Sequence, residues 1–393
     1  MLGAIYIGLS GMNAFSRGLQ TISHNVANMS TPGFKASSVN FSDVFSTGGL
    51  GSAYSGHQNG AGVRFGSPSV DFRQGDMRQT GGDLDLAIEG DGFLVLSKGD
   101  RTYYARTGQF GVNEEGYIAL LGSSYNLNVL SPSGATTAVN IDDRRTYQPV
   151  ATTKIAINGI LSTNSTEGIV ENIPVYAADG TEHVWKLSFK PSTEVPVEAG
   201  KYTLTITNGK GVQVGDPKTV KFTNGVLTSG DSLTISYPTT GDQSADVTLD
   251  LSALQNINIG PASEIRRASS DGNGLGVLTK VSVTEKGQLQ LIYSNTKTVD
   301  LGQVALAVFE DQQQLQRLGD GLFRNNGSEA RLGTTGAKGI GDLVSGQIEA
   351  SNVDLAQQFG ELILIQRGFQ ASSQVVSVSN DMIQQLFGIR GQG

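Results

Sequence analysis

The residues most able to do chemistry in this chain are few. Its three histidines, His24, His57 and His183, fall in a helical stretch, a glycine-rich loop and a strand-like stretch, with no metal-ligand spacing to link them. There is no cysteine, which excludes thiolate metal sites and disulfides. Asp83, Asp85 and Asp91 suggest calcium at first sight, but the run lacks the third ligand and the downstream bidentate glutamate of an EF-hand loop. The glycine-rich stretches 272–276 and 336–341 have neither dinucleotide spacing nor a P-loop lysine followed by Ser or Thr. Ser10 sits in Gly8-Leu9-Ser10-Gly11, which is no nucleophile elbow, and no triad can be assembled around it. The expectation is a protein that is not an enzyme and holds no cofactor or metal, with His24 a polar residue on a helix face.

The pattern that does stand out belongs to the two ends. Near the start Ile5, Met12, Leu19 and Val26 recur at intervals of seven, with Phe15, Ile22 and Met29 on a second row. Near the end Leu355, Leu362, Phe369, Val376 and Ile383 do the same, with Phe359 and Phe387 on a companion row. Both ends predict long amphipathic helices with coiled-coil spacing. Polar Ser16, Ser23, Gln366, Ser373 and Asn380 on the companion rows either fix register or edge an ordinary core stripe.

Charge is nearly absent here: Arg17 alone in residues 1–28, and Asp354, Glu361, Arg367, Asp381 and Arg390 in 352–393. A lone surface helix carries charge on its outer face, so these helices are expected to pack on both faces. Gly8, Gly11, Gly18, Gly360 and Gly368 each cost roughly 1 kcal/mol relative to alanine in a helix, which predicts helices that order only on assembly. Asp354 complements the positive end of the second helix, with Ser351 or Asn352 as cap, and Ser30-Thr31-Pro32-Gly33 stops the first.

Between the ends the sequence is β-like. Short apolar or alternating runs at 93–96, 117–121, 154–157, 184–189, 202–207, 233–237, 247–251, 277–283, 289–293 and 304–309 are separated by Asn-Gly and Asp-Gly turns. The fold class predicted is α+β: long N- and C-terminal coiled-coil-type helices paired with each other, with nested, mainly antiparallel β domains inserted between them. The partition is 1–28 with 352–393 as a helical core, 29–70 as an extended connection, 71–145 with 277–351 as a middle β domain, and 146–276 as an outer β domain. Residues 46–66 are Gly- and Ser-rich and predict a loop or linker, making Gly48, Gly49, Gly51 and Gly56 candidate hinges.

Composition narrows the partners. A net charge of -8 argues against nucleic acid or an anionic membrane held by bulk electrostatics. No apolar run approaches the roughly 18 residues of a spanning helix. The amino-terminal stretch has no basic residue before Arg17 and no small-residue cleavage pattern, so no cleaved secretory signal is expected. Charged residues make up 16% where about 25% is usual, leaving a surface built largely of uncharged polar residues.

Several stretches together resemble one family. Leu9-Ser10-Gly11-Met12-Asn13-Ala14, Asn25-Val26-Ala27-Asn28 and Thr31-Pro32-Gly33-Phe34-Lys35 are similar to the amino-terminal signature of the bacterial flagellar axial proteins of rod and hook. Residues 346–355, Gly-Gln-Ile-Glu-Ala-Ser-Asn-Val-Asp-Leu, and Gln366-Arg367-Gly368-Phe369-Gln370-Ala371 resemble its carboxyl end. The stretches 83–93 and Tyr104-Ala105-Arg106-Thr107-Gly108-Gln109-Phe110 resemble the β domain shared by hook and distal-rod members. The motif residues singled out on this basis are Asn25, Asn28, Gly33, Phe34, Ser351, Asn352, Asp354, Gln366 and Arg367. The resemblance covers about 1–130 and 300–390, and the inserted segment 146–276 favours the hook branch.

Such a resemblance implies an extracellular structural subunit of a hollow, curved, helical tube that transmits torque as a universal joint. It implies export through the flagellar type III apparatus and a polymer of the chain with itself. Distal-rod, hook-cap and hook–filament junction proteins are the further partners implied, with no nucleic acid and no membrane insertion. A distal-rod or other axial protein, and a secreted β-rich adhesin on a helical stalk, are the alternatives.

Overall fold

The computed structural model describes residues 2–45, 60–193, 198–238 and 244–390. The protein is mostly β, with curled sheets nested between two terminal helices, α1 (Leu2–Ala27) and α2 (Leu355–Arg390). No helix is long and apolar enough to cross a membrane among the described residues. The chain divides into two compact units: Met1–Asp142, Val281–Leu291 and Val299–Gly393 form the first, and Asp143–Lys280 with Ile292–Thr298 the second. The candidate hinges Gly48, Gly49, Gly51 and Gly56, and His57, lie outside the described residues.

In the first unit α1 runs to Ala27 and stops where Asn28 turns the chain. The Asn28 side-chain amide donates to the His24 carbonyl at 2.9 Å, and Gly33 takes a φ of +69°, a left-handed value suited to glycine. α2 begins differently from the expectation. Asp354 is itself the cap, its Oδ1 accepting from Ala356 N at 2.8 Å and Gln357 N at 3.2 Å, because Leu355 is already the first helical residue. Ser351 and Asn352 lie outside that turn, and Asn352 is used elsewhere, as described below.

Residues 60–66 also depart from the expected linker. Gly60–Phe65 is a strand pairing antiparallel with Phe41–Phe45, and the hairpin packs on α1, with Phe41 5.3 Å from Phe15 and 6.3 Å from Phe65 between ring centroids. Glycine-rich composition conceals this strand because Gly62 fills a close approach: a Cβ there would meet the Ser10 hydroxyl, which accepts from Val63 N at 3.2 Å.

The β part of the first unit has an aromatic core of Phe93, Val95, Tyr104, Ala305, Ala307, Phe309, Leu315 and Phe323, against which Phe72 packs edge-on. The runs read from sequence fall on strands, the last splitting at Ala305 between Thr298–Val304 and Leu306–Phe309. Two turns show the turn chemistry directly. Asp320 and Gly321, at φ of 51° and 71°, join Gln316–Gly319 to Leu322–Arg324 with both central residues left-handed. Asn224 and Gly225 do the same between Lys218–Thr223 and Val226–Ser229.

The second unit is a nine-stranded sheet from Lys154–Leu161 to Glu264–Ser270, antiparallel except where Lys154–Leu161 runs parallel to Ser244–Asn256. Alternating residues fill its interior, as in Trp185, Leu187 and Phe189 of one strand facing Tyr202, Leu204 and Ile206 of the next. Trp185 packs edge-on against Tyr237 at 5.3 Å.

Candidate functional site

The two helices pack on each other along a seam of small residues. A Cβ on Gly8 would lie 2.7 Å from Val376 Cγ2, one on Gly11 2.7 Å from Ser372 Oγ, one on Gly18 2.8 Å from Ile365 Cδ1, and one on Gly368 2.5 Å from the Phe15 ring. These glycines therefore cost helix propensity in exchange for close approach of the two backbones.

The candidate assembly residues distribute unevenly over this seam. Ile22 is buried in it, and Ile5, Met12, Phe15, Val26, Leu362, Val376 and Ile383 are half-buried. Leu19, Leu355, Phe359, Phe369 and Phe387 are exposed. The innermost row of α2 runs through Gln358, Ile365, Ser372 and Ser379, three residues after the Leu355 row. That places it off the Phe359, Gln366, Ser373, Asn380 and Phe387 row expected from large-residue periodicity. On α1 the corresponding inner row is Gly11, Gly18 and Asn25.

Large apolar side chains consequently face outward. Leu364 and Phe387 are each 70% exposed and Tyr6 65%, and Leu9, Ile363, Met382 and Leu386 also lie open on the two helices. Gln366 and Arg367 share this outer surface. Exposed large apolar side chains of this kind mark a site of association.

Beneath the helix pair the motif residues converge on a polar junction. Asn25 is fully buried and uses its whole amide: Nδ2 donates to Ser37 O at 2.8 Å and Gln358 Oε1 at 2.9 Å, and Oδ1 accepts from Ser37 N at 2.9 Å. Asn352 ties the other terminus down, its Oδ1 accepting from Ala36 N at 2.8 Å while Nδ2 donates to Asp71 O at 2.8 Å and Arg73 O at 3.0 Å. Asn28, Gly33 and Phe34 form the turn between α1 and the sheet, and Gly33 N donates to Glu349 O at 2.8 Å. Phe34 is buried between His24, 5.4 Å away ring to ring, and the Arg317 guanidinium, 4.7 Å from the ring centroid. Arg317 also donates to the Lys35 carbonyl, and burial pushes its pKa down. Ser351 is half-buried, and its hydroxyl accepts weakly from Val353 N at 3.4 Å.

At the centre of the junction are three charges that the motif residues singled out from sequence do not include. Glu349 and Lys35 have fully buried side chains 2.6 Å apart, and Arg106, 4% exposed, lies 3.2 Å from the other carboxylate oxygen. Each comes from a stretch that resembles the family, and Lys35 and Arg106 are the sole charges in 31–35 and 104–110. An isolated cation in an otherwise uncharged motif is the signal the sequence offers for Lys35 and Arg106, whereas Glu349 shares its stretch with Asp354 and is not marked in this way. No group of side chains suited to a metal ion occurs among the described residues.

A family described as "Flagella basal body rod protein" matches residues 5–35, which hold most of α1 and the turn to Lys35. A second, "Flagellar basal body rod FlgEFG protein C-terminal", matches 344–389, a stretch that includes Glu349 and nearly all of α2. The flagellar hook protein FlgE of Treponema pallidum is 29% identical over 99% of this chain and 100% of its own length. Those of Salmonella typhimurium and Escherichia coli are each 27% identical, over 97% of this chain and 98% of theirs. The crystal structure of Helicobacter pylori flagellar hook protein FlgE2 superposes with a TM-score of 0.48 at 12% identity, covering 68% of this chain and 98% of that one.

Paired terminal segments matched by rod-protein families, with β structure inserted between them, define a flagellar axial protein. Within that class, end-to-end similarity to hook proteins places the chain in the flagellar hook protein family, as a structural subunit of the hook.

Proposed function

We propose that the chain polymerises with itself through its terminal helices into a hollow, curved tube that joins rod to filament and transmits torque as a universal joint. The observation that carries this reading is the outward-facing apolar surface of α1 and α2, including Tyr6, Leu9, Leu364 and Phe387. Two helices already packed on each other keep that surface open, and copies of the same pair are the partner that covers it in a polymer. In this reading coiled-coil-type contacts form between as well as within subunits.

The functional partition proposed keeps 1–28 with 352–393 for assembly, 29–70 as connection, and 71–145 with 277–351 and 146–276 as β domains. Export through the type III apparatus without a cleaved signal, and contacts with distal-rod, hook-cap and junction proteins, follow from family membership as proposals. Low charge favours compliance, because subunit contacts free of buried ion pairs rearrange at little cost. Gly48, Gly49, Gly51 and Gly56 are proposed as hinges on composition alone. Electron microscopy of the purified, concentrated protein is the decisive measurement. Curved tubes are the expected outcome; straight tubes indicate a rod protein, and discrete small oligomers overturn the polymer reading.

A further inference from the structure

We propose that Lys35, Arg106 and Glu349 form a latch that specifies where both terminal helices leave the β sheet of the first unit, and that its role is geometry rather than stability. The proposal rests on the self-assembly reading for its consequence in the polymer. Its structural basis stands within a single subunit.

Three segments distant in sequence meet on one carboxylate. Glu349 Oε1 accepts from Lys35 Nζ at 2.6 Å and from Gly75 N at 2.8 Å, and Oε2 accepts from Arg106 Nε at 3.2 Å. Lys35 Nζ donates again to Arg73 O at 2.7 Å. Arg106 Nη1 donates to Gly92 O at 2.6 Å, and Nη2 to Gly90 O at 2.7 Å and Ile88 O at 3.4 Å. The Glu349 backbone is held as well, its N donating to Thr107 Oγ1 at 3.1 Å while Thr107 Oγ1 donates to Leu86 O at 2.8 Å. Two cations therefore share one anion out of water, and the surplus positive charge rests on backbone carbonyls.

That arrangement is poorly suited to adding stability. Moving three charges out of water carries a large desolvation cost, which mutual attraction offsets only when every donor and acceptor is met. Burial pushes the Lys35 pKa below its ordinary value even though Glu349 pulls it upward. A lysine whose folded pKa is lowered binds its proton more tightly in the unfolded chain. Keeping it charged costs stability at any pH below the folded value, and the cost is relieved as pH rises from the folded value toward the unfolded one.

What the cluster supplies is a single solution. Apolar burial is non-directional, whereas these donors and acceptors are all met in one placement only. Lys35 closes the turn that follows α1, and Glu349 lies on the short strand Gln347–Glu349 just before α2. Fixing them on one carboxylate fixes both helix exits against Arg106 and the sheet that carries it.

The test compares three variants of the full chain. Glu349→Gln leaves buried cations without their anion and is expected to lower the Tm of the first unit by about 10 °C. The triple variant Lys35→Met, Arg106→Met, Glu349→Leu removes all charge at similar volume, and its monomer is expected to melt within a few degrees of the parent. Its tubes, viewed by electron microscopy, are expected to lose uniform diameter and curvature. A triple variant that forms tubes like the parent's overturns the latch, and one that melts as early as Glu349→Gln shows the cluster to be a stabilising element instead. Glu349→Asp guards against a packing failure: it keeps the charge with a shorter reach, and parent-like tube geometry from it also overturns the proposal. Failure of the unaltered chain to form tubes would instead remove the self-assembly reading, leaving the melting comparison to stand by itself.

Discussion

Asp250, on a strand of the second unit, shows how a single carboxylate couples fold to pH. Its Oδ1 accepts from the Ser252 hydroxyl at 2.6 Å and Ser252 N at 3.1 Å, and Oδ2 lies 2.9 Å from Lys154 Nζ. The Ser252 hydroxyl, followed by Lys154, brings the carboxyl down from 3.8 to about 2. Because the folded pKa is depressed, the stabilisation is present above about pH 4 and is lost as pH falls through about 2. Asp250→Asn should therefore lower the Tm of the second unit by a few degrees at pH 7 and leave it unchanged near pH 2. Thermal melts of both proteins at the two pH values check this; a gap that persists at pH 2 contradicts the assignment. At the residue scale the sequence is least legible where polar groups are buried. Lys35, Arg106 and Glu349 have the composition of surface residues, and only their partners, contributed by distant segments, make them interior.

Among the elements, the helices are legible in the sequence and their phase is not. Seven-residue recurrence and missing charge locate α1 and α2, but hydropathy counts large side chains, and the seam between the helices is made of Gly8, Gly11, Gly18, Gly368, Ser372 and Ser379. Large residues such as Leu364 and Phe387 lie exposed outside that seam. Asn25 and Gln358, joined at 2.9 Å, add a buried polar pair of the sort that fixes helix register, in a place where periodicity finds only a gap. The seam makes two glycines of one helix respond oppositely to the same change. A Cβ on Gly360 would meet nothing within 4 Å, so Gly360→Ala should raise helix stability in the monomer by about 1 kcal/mol. Gly368→Ala would put its methyl into the Phe15 ring and should lower it by about 1 to 3 kcal/mol. Melting followed by the far-UV helical signal separates them, and equal shifts in the two variants would count against the seam. The strand Gly60–Phe65 is hidden for a related reason, its glycine serving close approach to α1 in place of a turn.

For the molecule as a whole, all α-helix among the described residues lies at the two termini, in segments of 26 and 36 residues, so the helical signal reports on the assembly elements alone. Neither helix is built to stand by itself. Each carries interior glycines, buries a narrow seam of small residues, and leaves its larger apolar side chains open. The β units, by contrast, own closed cores around Phe93 and Trp185. Polymerisation should then add helical signal and leave the β cores unchanged. Deleting residues 356–393 removes the α2 face while sparing Glu349, so both β cores and the junction at Lys35 and Arg106 keep their partners. The truncated chain is expected to stay soluble, to melt through its β transitions near the parent values, to lose helical signal from α1 as well as α2, and to form no tubes. Sedimentation, far-UV circular dichroism and electron microscopy read these outcomes separately. Tubes from the truncated chain would show that the β units alone drive assembly; a full α1 signal without tubes would show that α1 orders on the hairpin Phe41–Phe45 and Gly60–Phe65 rather than on α2.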